Sequence, residues 1–352
     1  MVFNRNQFVR KTYRECIEKY GTDKPDLRFA NEIQDWTHLF RDNASKPFSE
    51  NIHLEKCCVK AIVFNQVDKA SISSADLKRI EKQSLQDTNS LSSGQTLLVS
   101  KFTIDNSGDI KSSLIKNNFP NLVSSLKAKV DLKNNDIGFI VIGTNIHDSV
   151  SICAGKLRTE LSKILCNLDP FDFKFLWVED FPMFLPKEDD NISDTNNKVT
   201  IEAAHHPFTQ PHPEDEHIVK IADTKSQIST EQVLKARSLH YDLVLNGQEI
   251  GGGSIRIHDP ALQIHILERI LGEDISELTH LLESLSFGCP PHGGIALGLD
   301  RLMAILCNSS SIRDVIAFPK GGEGKDLMSN APSSVSEEQR LIYHINVVNE
   351  SF

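Results

Sequence analysis

The chain has 352 residues, 39% of them hydrophobic and 24% charged, with a formal net charge of −10 at pH 7. That composition belongs to a globular protein long enough for two or three domains. It contains no run near the roughly 18 apolar residues a membrane helix needs, and it supplies no global positive field for holding nucleic acid. Seven cysteines are scattered, odd in number and without a CxxC pair, which fits reduced thiols rather than a disulfide framework. Met1 to Arg10 are polar and show neither the apolar core of a secretory signal nor the Arg/Ser-rich pattern of a transit peptide.

Three blocks follow in chain order: 1–46, 47–168 and 169–352. The first has a helical pattern from Phe8 to Tyr20, then a turn-rich stretch, Gly21 to Phe29, in which Pro25 forbids continuation of the helix. In the second, Cys57–Phe64, Gln95–Ile104 and Asp136–Thr144 have the β-branched, apolar character of strands. Ser73 or Ser74 can cap a helix over Ala75–Leu85. Val150, Ala154, Leu157, Leu161 and Leu165 form one stripe of a helix from about Asp148 to Leu165. This block concentrates no His, Asp, Glu or Arg, so it is expected to be a small α+β accessory domain. The third block opens with a strand, Phe173 to Glu179, and a polar, acidic loop, Lys187 to Asn197.

The chemistry-bearing residues lie beyond that loop. Tyr241–Leu245, Asn246-Gly247 and Gln248–Ile250 spell a hairpin, because Asn-Gly supplies the positive φ of a two-residue type I′ turn. That turn sets Leu245 opposite Gln248 and Val244 opposite Glu249. Asp242 and Glu249 then become diagonal neighbours on one face, within reach of one hard cation such as Mg²⁺; otherwise they are two surface carboxylates. Strict alternation would put Arg256 on the opposite face, so a bulge is expected within Gly251-Gly252-Gly253 to bring it back. There its guanidinium could hold a carboxylate by two hydrogen bonds. Asp259 and Pro260 mark the start of a structural helix with Leu262, Ile266 and Ile270 inward.

Two further stretches stand out. His205-His206-Pro207-Phe208-Thr209 leads to His212 and His217 with Glu214, Asp215 and Glu216 between them. The spacing matches no common zinc pattern, and His205 pointing at a polar substrate is the preferred reading over a purely structural turn. Pro290 to Leu306 reads as a tight turn, a strand and a helix. Small residues at Gly294, Ala296 and Gly298 leave a flat floor for a planar ring or phosphate, and Arg301 stands at the helix start. Close strand packing is the competing explanation, and neither a P-loop nor a Rossmann fingerprint is present.

Taken in this order, the pieces resemble one family. Gly294 to Arg301 resembles motif 3 of class II aminoacyl-tRNA synthetases, with Ala296 in place of the middle glycine. Tyr20–Phe29 (YGTDKPDLRF), His205–Thr209 (HHPFT), Tyr241–His258 (YDLVLNGQEIGGGSIRIH), Pro290–Leu302 (PPHGGIALGLDRL) and Ser311–Lys320 (SIRDVIAFPK) are similar to aspartyl-tRNA synthetases of the bacterial/mitochondrial type. The resemblance runs from about residue 8 to near the C terminus. It implies an α+β fold: a class II antiparallel sheet flanked by helices, incomplete here, with a GAD-like α+β domain inserted at 47–168.

The anticodon-binding domain, motif 1, the aspartate loop and motif 2 of that family would all precede this stretch. Phe40-Arg41-Asp42-Asn43 is not motif 2, since it follows the YGTDKPDLRF element and ends in Asn43 where Glu is expected. The resemblance implies ATP-dependent activation of L-aspartate and its transfer to tRNA(Asp). Asp242 and Glu249 would hold Mg²⁺ on ATP, Arg256 and His205 would serve L-aspartate, and Gly298, Leu299, Asp300 and Arg301 would line the ATP site with Glu249. It further implies a homodimer, no membrane or DNA partner, and a mitochondrial matrix location, or otherwise a cytoplasmic one. The alternative is a shortened, non-catalytic relative that acts by binding.

Overall fold

The computed structural model describes residues 8–42, 57–65, 72–86, 97–119, 121–144, 147–187, 200–221 and 230–346. These fall into two compact units, Met1–Leu297 and Gly298–Phe352. Most of the acidic loop expected at Lys187–Asn197 lies outside the described residues.

The first unit opens with β1 (Val9–Thr12), which runs directly into α1 (Tyr13–Tyr20). The helix therefore starts later than Phe8, and Thr12 is the reason. Its hydroxyl accepts from the Glu15 amide while the Glu15 carboxylate accepts from the Thr12 amide, a reciprocal capping box. The helix ends at Gly21, whose φ of +65° lets its N–H bond the Ile17 carbonyl.

A second sheet is inserted next. Its elements are β2 (Gln34–Asp35), α2 (Thr37–Asp42), β3 (Cys57–Phe64), α3 (Ser74–Gln86), β4 (Leu97–Ile104), β5 (Ile110–Lys111), α4 (Ser113–Asn118), α5 (Leu122–Lys129), β6 (Ile137–Thr144) and α6 (His147–Leu165). The strand order is β2-β3-β6-β4-β5, antiparallel throughout. All eight residues of β3 are buried because both faces of the sheet are covered. Val59, Ala61 and Val63 pack with residues of α2, α4 and α5, while Cys58, Ile62 and Phe64 pack with residues of α3 and α6. Trp36, Leu39 and Phe40 bury in the first of these clusters. The inserted body thus begins by Gln34, not at 47 as the sequence suggested; a six-residue helix leaves too short a periodic pattern to assign.

The chain then returns to the first sheet through β7 (Phe175–Pro182), β8 (Phe184–Pro186), β9 (Ile201–Ala203), α7 (Glu216–Ile221), α8 (Thr230–Val233), β10 (Arg237–Leu245), β11 (Gln248–Ile255), α9 (Pro260–Ile264), α10 (Thr279–Ser286) and β12 (Gly293–Leu297). The order is β1-β7-β10-β11-β12. The expected antiparallel pattern holds except at one edge, where β1 and β7 are parallel. A parallel pair needs a long crossover, and the whole inserted body supplies it. β8 and β9 form a separate two-stranded ribbon.

α1 covers one face of the first sheet, with Cys16 against Leu176, Val178, Phe181 and Val244. Asp259 accepts from the Ala261 amide to start α9, and Leu262, Ile266 and Ile270 are buried as expected, the last two in a π-helical continuation, His265–Leu271. The second unit contains α11 (Leu299–Leu306) and α12 (Glu337–Ile342). Among the described residues no helix is long and apolar enough to cross a membrane.

The two bodies of the first unit meet at glycines. A Cβ on Gly21 would lie 1.9 Å from the Ser151 carbonyl oxygen, and one on Gly155 would lie 2.5 Å from that of Tyr20. Alanine normally favours a helix interior over glycine by about 1 kcal/mol, yet here the obstacle is backbone. Gly155→Ala is expected to lower unfolding stability by about 2 kcal/mol, read as a fall in the urea midpoint. A rise in the midpoint would show that the two bodies can separate freely.

Candidate active site

β10 and β11 are joined by Asn246-Gly247, with φ of +49° and +83°, the type I′ geometry. Leu245 faces Gln248 and Val244 faces Glu249, as the turn requires. The register then slips. Leu243 faces Gly251, leaving Ile250 as the extra residue. The bulge therefore lies one residue before the three glycines, not within them. Gly251, Gly252 and Gly253 pair regularly with Leu243, Asp242 and Tyr241 on one side and with Leu297, Ala296 and Ile295 on the other.

The bulge still has the consequence expected of it. It brings Glu249, Gly252, Ser254 and, by continued alternation, Arg256 to the face that carries His240 and Asp242. The glycines themselves permit close approach. A Cβ on Gly253 would lie 1.9 Å from the Gly294 carbonyl oxygen. A Cβ on Gly252 would lie 2.8 Å from Asp242 Oδ1 and 3.2 Å from Glu249 Oε1. The two carboxylates thus converge over one bare patch of backbone. Gly294 and Ala296, opposite Ser254 and Gly252, extend that floor along the same face.

The surroundings divide the two acids. Asp242 is 4% exposed, and His240 Nε2 lies 3.1 Å from its Oδ1. Glu249 is more open, and Lys24 Nζ stands 3.3 Å from its Oε2 and 3.2 Å from Asp23 Oδ2. Burial pulls the Lys24 pKa down, but Asp23 and Glu249 outweigh it and hold the ammonium above its ordinary value. Lys24 reaches this position because its segment is tied. Asp26 accepts from the amide and guanidinium of Arg28, and it underlies the Gly247 turn, where a Cβ would be 3.2 Å from that of Asp26.

The histidine loop supplies the opposite side. His205 stacks on His240 with ring centroids 3.6 Å apart and meets Phe181 edge-on. Burial of the ring, then the neighbouring His240, pull its pKa down to about 4. Arg256 Nη1 lies 2.7 Å from His206 Nε2 and 3.2 Å from its Nδ1. His206 Nδ1 accepts from the Phe208 amide at 3.3 Å and lies 3.4 Å from Thr209 Oγ1. Burial, then Arg256, lower the His206 pKa, so its ring stays neutral beside the guanidinium. Farther along, Asp215 and Glu214 are engaged by Arg237 at 2.8 and 2.7 Å, which raises the arginine's pKa above its usual value. Among the described residues no three His, Cys, Asp or Glu side chains gather as a metal-binding cluster. A hard cation at Asp242 and Glu249 would complete its shell with phosphates and water.

Of the residues expected from sequence, Asp242, Glu249 and Arg256 share one sheet face, and His205 lies against it through His240. Gly298, Leu299, Asp300 and Arg301 form the first turn of α11 in the other unit, with the Leu302 amide bonded to the Gly298 carbonyl. His240, His206 and Lys24 were given no role from sequence, although His206 lies within the HHPFT stretch and Lys24 within YGTDKPDLRF; His240 lies two residues before Asp242 on an alternating strand.

The histidine shifts fix a pH dependence. A histidine in the unfolded chain titrates near 6.5, whereas folded His205 does so at about 4. Between those values the unfolded chain takes up a proton that the folded chain refuses, so stability is lost progressively as pH falls through that window. His206 acts with the same sign. His205→Gln is expected to reduce the acid loss of the unfolding midpoint between pH 6.5 and about 4. An unchanged slope would assign that loss to other groups.

The family model described as tRNA synthetases class II (D, K and N) matches residues 2–322. "Aspartate--tRNA ligase, mitochondrial" of Bos taurus is 40% identical over 346 residues, 97% of this chain and 49% of that protein. The protein of the same name in Dictyostelium discoideum is 37% identical over 351 residues, 95% of this chain and 47% of its own length. "Aspartate--tRNA(Asp/Asn) ligase" of Opitutus terrae is 36% identical over 350 residues, 97% of this chain and 54% of that protein. The chain spans about half the length of the curated relatives it matches. The solved aspartyl tRNA synthetase from Entamoeba histolytica aligns over 91% of this chain and 55% of its own with a TM-score of 0.32 and 17% identity, a likeness too slight to add to the argument. The extent of the family match, read with the floor of small residues under two convergent carboxylates, leads to one conclusion: this chain belongs to the class II tRNA synthetases (D, K and N).

Proposed function

We propose that the chain carries amino-acid and nucleotide sites of an aspartate–tRNA ligase, which joins L-aspartate to ATP as aspartyl-adenylate, releases pyrophosphate, and passes aspartate to the terminal ribose of tRNA(Asp). The convergence of Asp242 Oδ1 and Glu249 Oε1 over Gly252 is the observation that carries this reading. The pair would hold Mg²⁺, which when bound neutralises phosphate charge on ATP.

Arg256 would bind the side-chain carboxylate of aspartate. Neutral His206 lies against its Nη1 without consuming its charge, and the rest of the fork would make a bidentate contact. His205, neutral and stacked on His240, would close the amino-acid pocket without adding a second cation. Arg301 would pack on adenine and reach the γ-phosphate, with the Gly298–Arg301 turn lining the nucleotide. The inserted body is read as GAD-like, the assembly as a homodimer and the location as the mitochondrial matrix. The last is supported by the names of the Bos taurus and Dictyostelium discoideum relatives.

Aspartate-dependent ATP–pyrophosphate exchange tests the reading. The 352-residue chain is assayed alone and with the half of the Bos taurus relative that it does not match. Exchange in either mixture that requires both aspartate and a divalent cation supports the proposal. Absence of exchange in both, from folded protein, overturns it.

A further inference from the structure

His240 sits where a ligand of the reaction does not need it, yet its environment is closely specified. It precedes Asp242 by two residues on β10, so both side chains rise from the same sheet face. The ring is 9% exposed, stacked on His205 at 3.6 Å and met edge-on by Phe181 at 4.8 Å. Its Nε2 is 3.1 Å from Asp242 Oδ1, whereas Nδ1 has no partner among the described residues. A neutral imidazole has one N–H to place. Among the described residues Nδ1 is unpaired with either tautomer, so the other nitrogen decides: on Nε2 the proton makes a charge-assisted bond to a carboxylate, whereas on Nδ1 it would leave the Nε2 lone pair facing the Asp242 oxygen with no proton between them. The proton therefore sits on Nε2, and the two aromatic contacts fix the direction in which it points.

We infer that His240 is a positioning residue for the cation site: it locks the Asp242 carboxylate in the orientation that lets it share one divalent cation with Glu249. The inference rests on the cation reading proposed above. A buried carboxylate on a strand can rotate about its terminal torsion, which is broad rather than staggered. Gly252 offers no side chain to stop it. The donor from His240 engages one lone pair of Oδ1 and leaves the others for a cation, in the way that hydrogen-bonded partners orient ligating groups elsewhere. The more exposed Glu249 pairs with a different neighbour, Lys24, at 3.3 Å.

The test uses the purified 352-residue chain and Mn²⁺ alone, with bound metal read from loss of the free-ion resonance signal. The wild type is expected to bind one Mn²⁺ that Glu249→Ala abolishes. His240→Leu, which fills the space without a donor, is expected to weaken Mn²⁺ by about 10–100-fold. His240→Gln, whose terminal amide nitrogen can stand where Nε2 stands, is expected to recover most of that loss. A purely structural histidine would show no such rescue. If His240→Leu does not fold, His240→Asn replaces it, because its shorter amide cannot reach Asp242. Equal Mn²⁺ affinity in the wild type and the donor-free variant overturns the inference and leaves the cation reading intact. No specific Mn²⁺ binding by the folded wild type overturns the cation reading, and this inference with it.

Discussion

Glu249→Ala is expected to reduce aspartate-dependent ATP–pyrophosphate exchange by about 10³-fold, the effect of removing several kcal/mol of transition-state charge stabilisation. The expectation follows from the convergence of Glu249 Oε1 and Asp242 Oδ1 over Gly252, since one acid alone would leave a hard cation mostly to water. The fold should be nearly indifferent. Glu249 is partly exposed and its ion pair with Lys24 is of the surface kind, contributing about 1 kcal/mol or less. The informative result is therefore a large loss of exchange with a urea midpoint close to wild type, measured on the same preparation in the complemented assay. Exchange retained within about threefold would remove Glu249 from the chemistry and reduce the hairpin to a structural element.

Arg158→Met is expected to do the reverse, acting on stability first. Arg158 projects from α6 of the inserted body and is fully buried. Its Nε donates to the Asn31 carbonyl and one Nη donates to those of Asp26 and Phe29, while its plane lies over the rings of Tyr20 and Phe29. Burial lowers its pKa, with Tyr20 and Asp26 opposing, so the charge itself carries a desolvation cost that methionine would relieve. The three carbonyls it leaves behind lose their donors, at about 1 kcal/mol or more each. The net loss should be about 2–3 kcal/mol of unfolding free energy, seen in the urea midpoint. Arg158→Lys should recover little, because a single ammonium cannot span three carbonyls in fork geometry. The 26–31 segment also adjoins Lys24 and the Gly247 turn, so exchange should fall along with stability. A change below about 0.5 kcal/mol, the size of an ordinary surface substitution, would show that the segment holds its shape without the arginine.

The two predictions separate roles that lie close together. Glu249 belongs to the open end of the site, where loss of a charge alters chemistry. Arg158 belongs to the seam between the two bodies of the first unit, where loss of donors alters the frame. Gly21 and Gly155 mark the same seam, with backbone against backbone.

Features decided by near neighbours in the chain were legible in the sequence. Asn246-Gly247 set the hairpin and its first two pairs, because positive φ at both positions is a local property. β3 matches its expected span, α6 carries the expected stripe, and Asp259 caps α9, since each depends on periodicity or on one hydrogen bond a few residues away. The tertiary structure alone decided the remainder. Three glycines signalled irregularity but not its place, and the bulge settled at Ile250 because the glycines were needed for close approach by the Asp242 and Glu249 carboxylates and the β12 backbone. Gln34 to Asp42 read as part of the first block until Trp36, Leu39 and Phe40 found the core of the inserted sheet. Lys24 meets Glu249, and Arg158 meets Asp26, across long stretches of sequence that carry no periodic trace of the contact. Local conformational preference is written in neighbouring residues, whereas the partner of a charge or a buried donor depends on which surfaces the completed fold brings together.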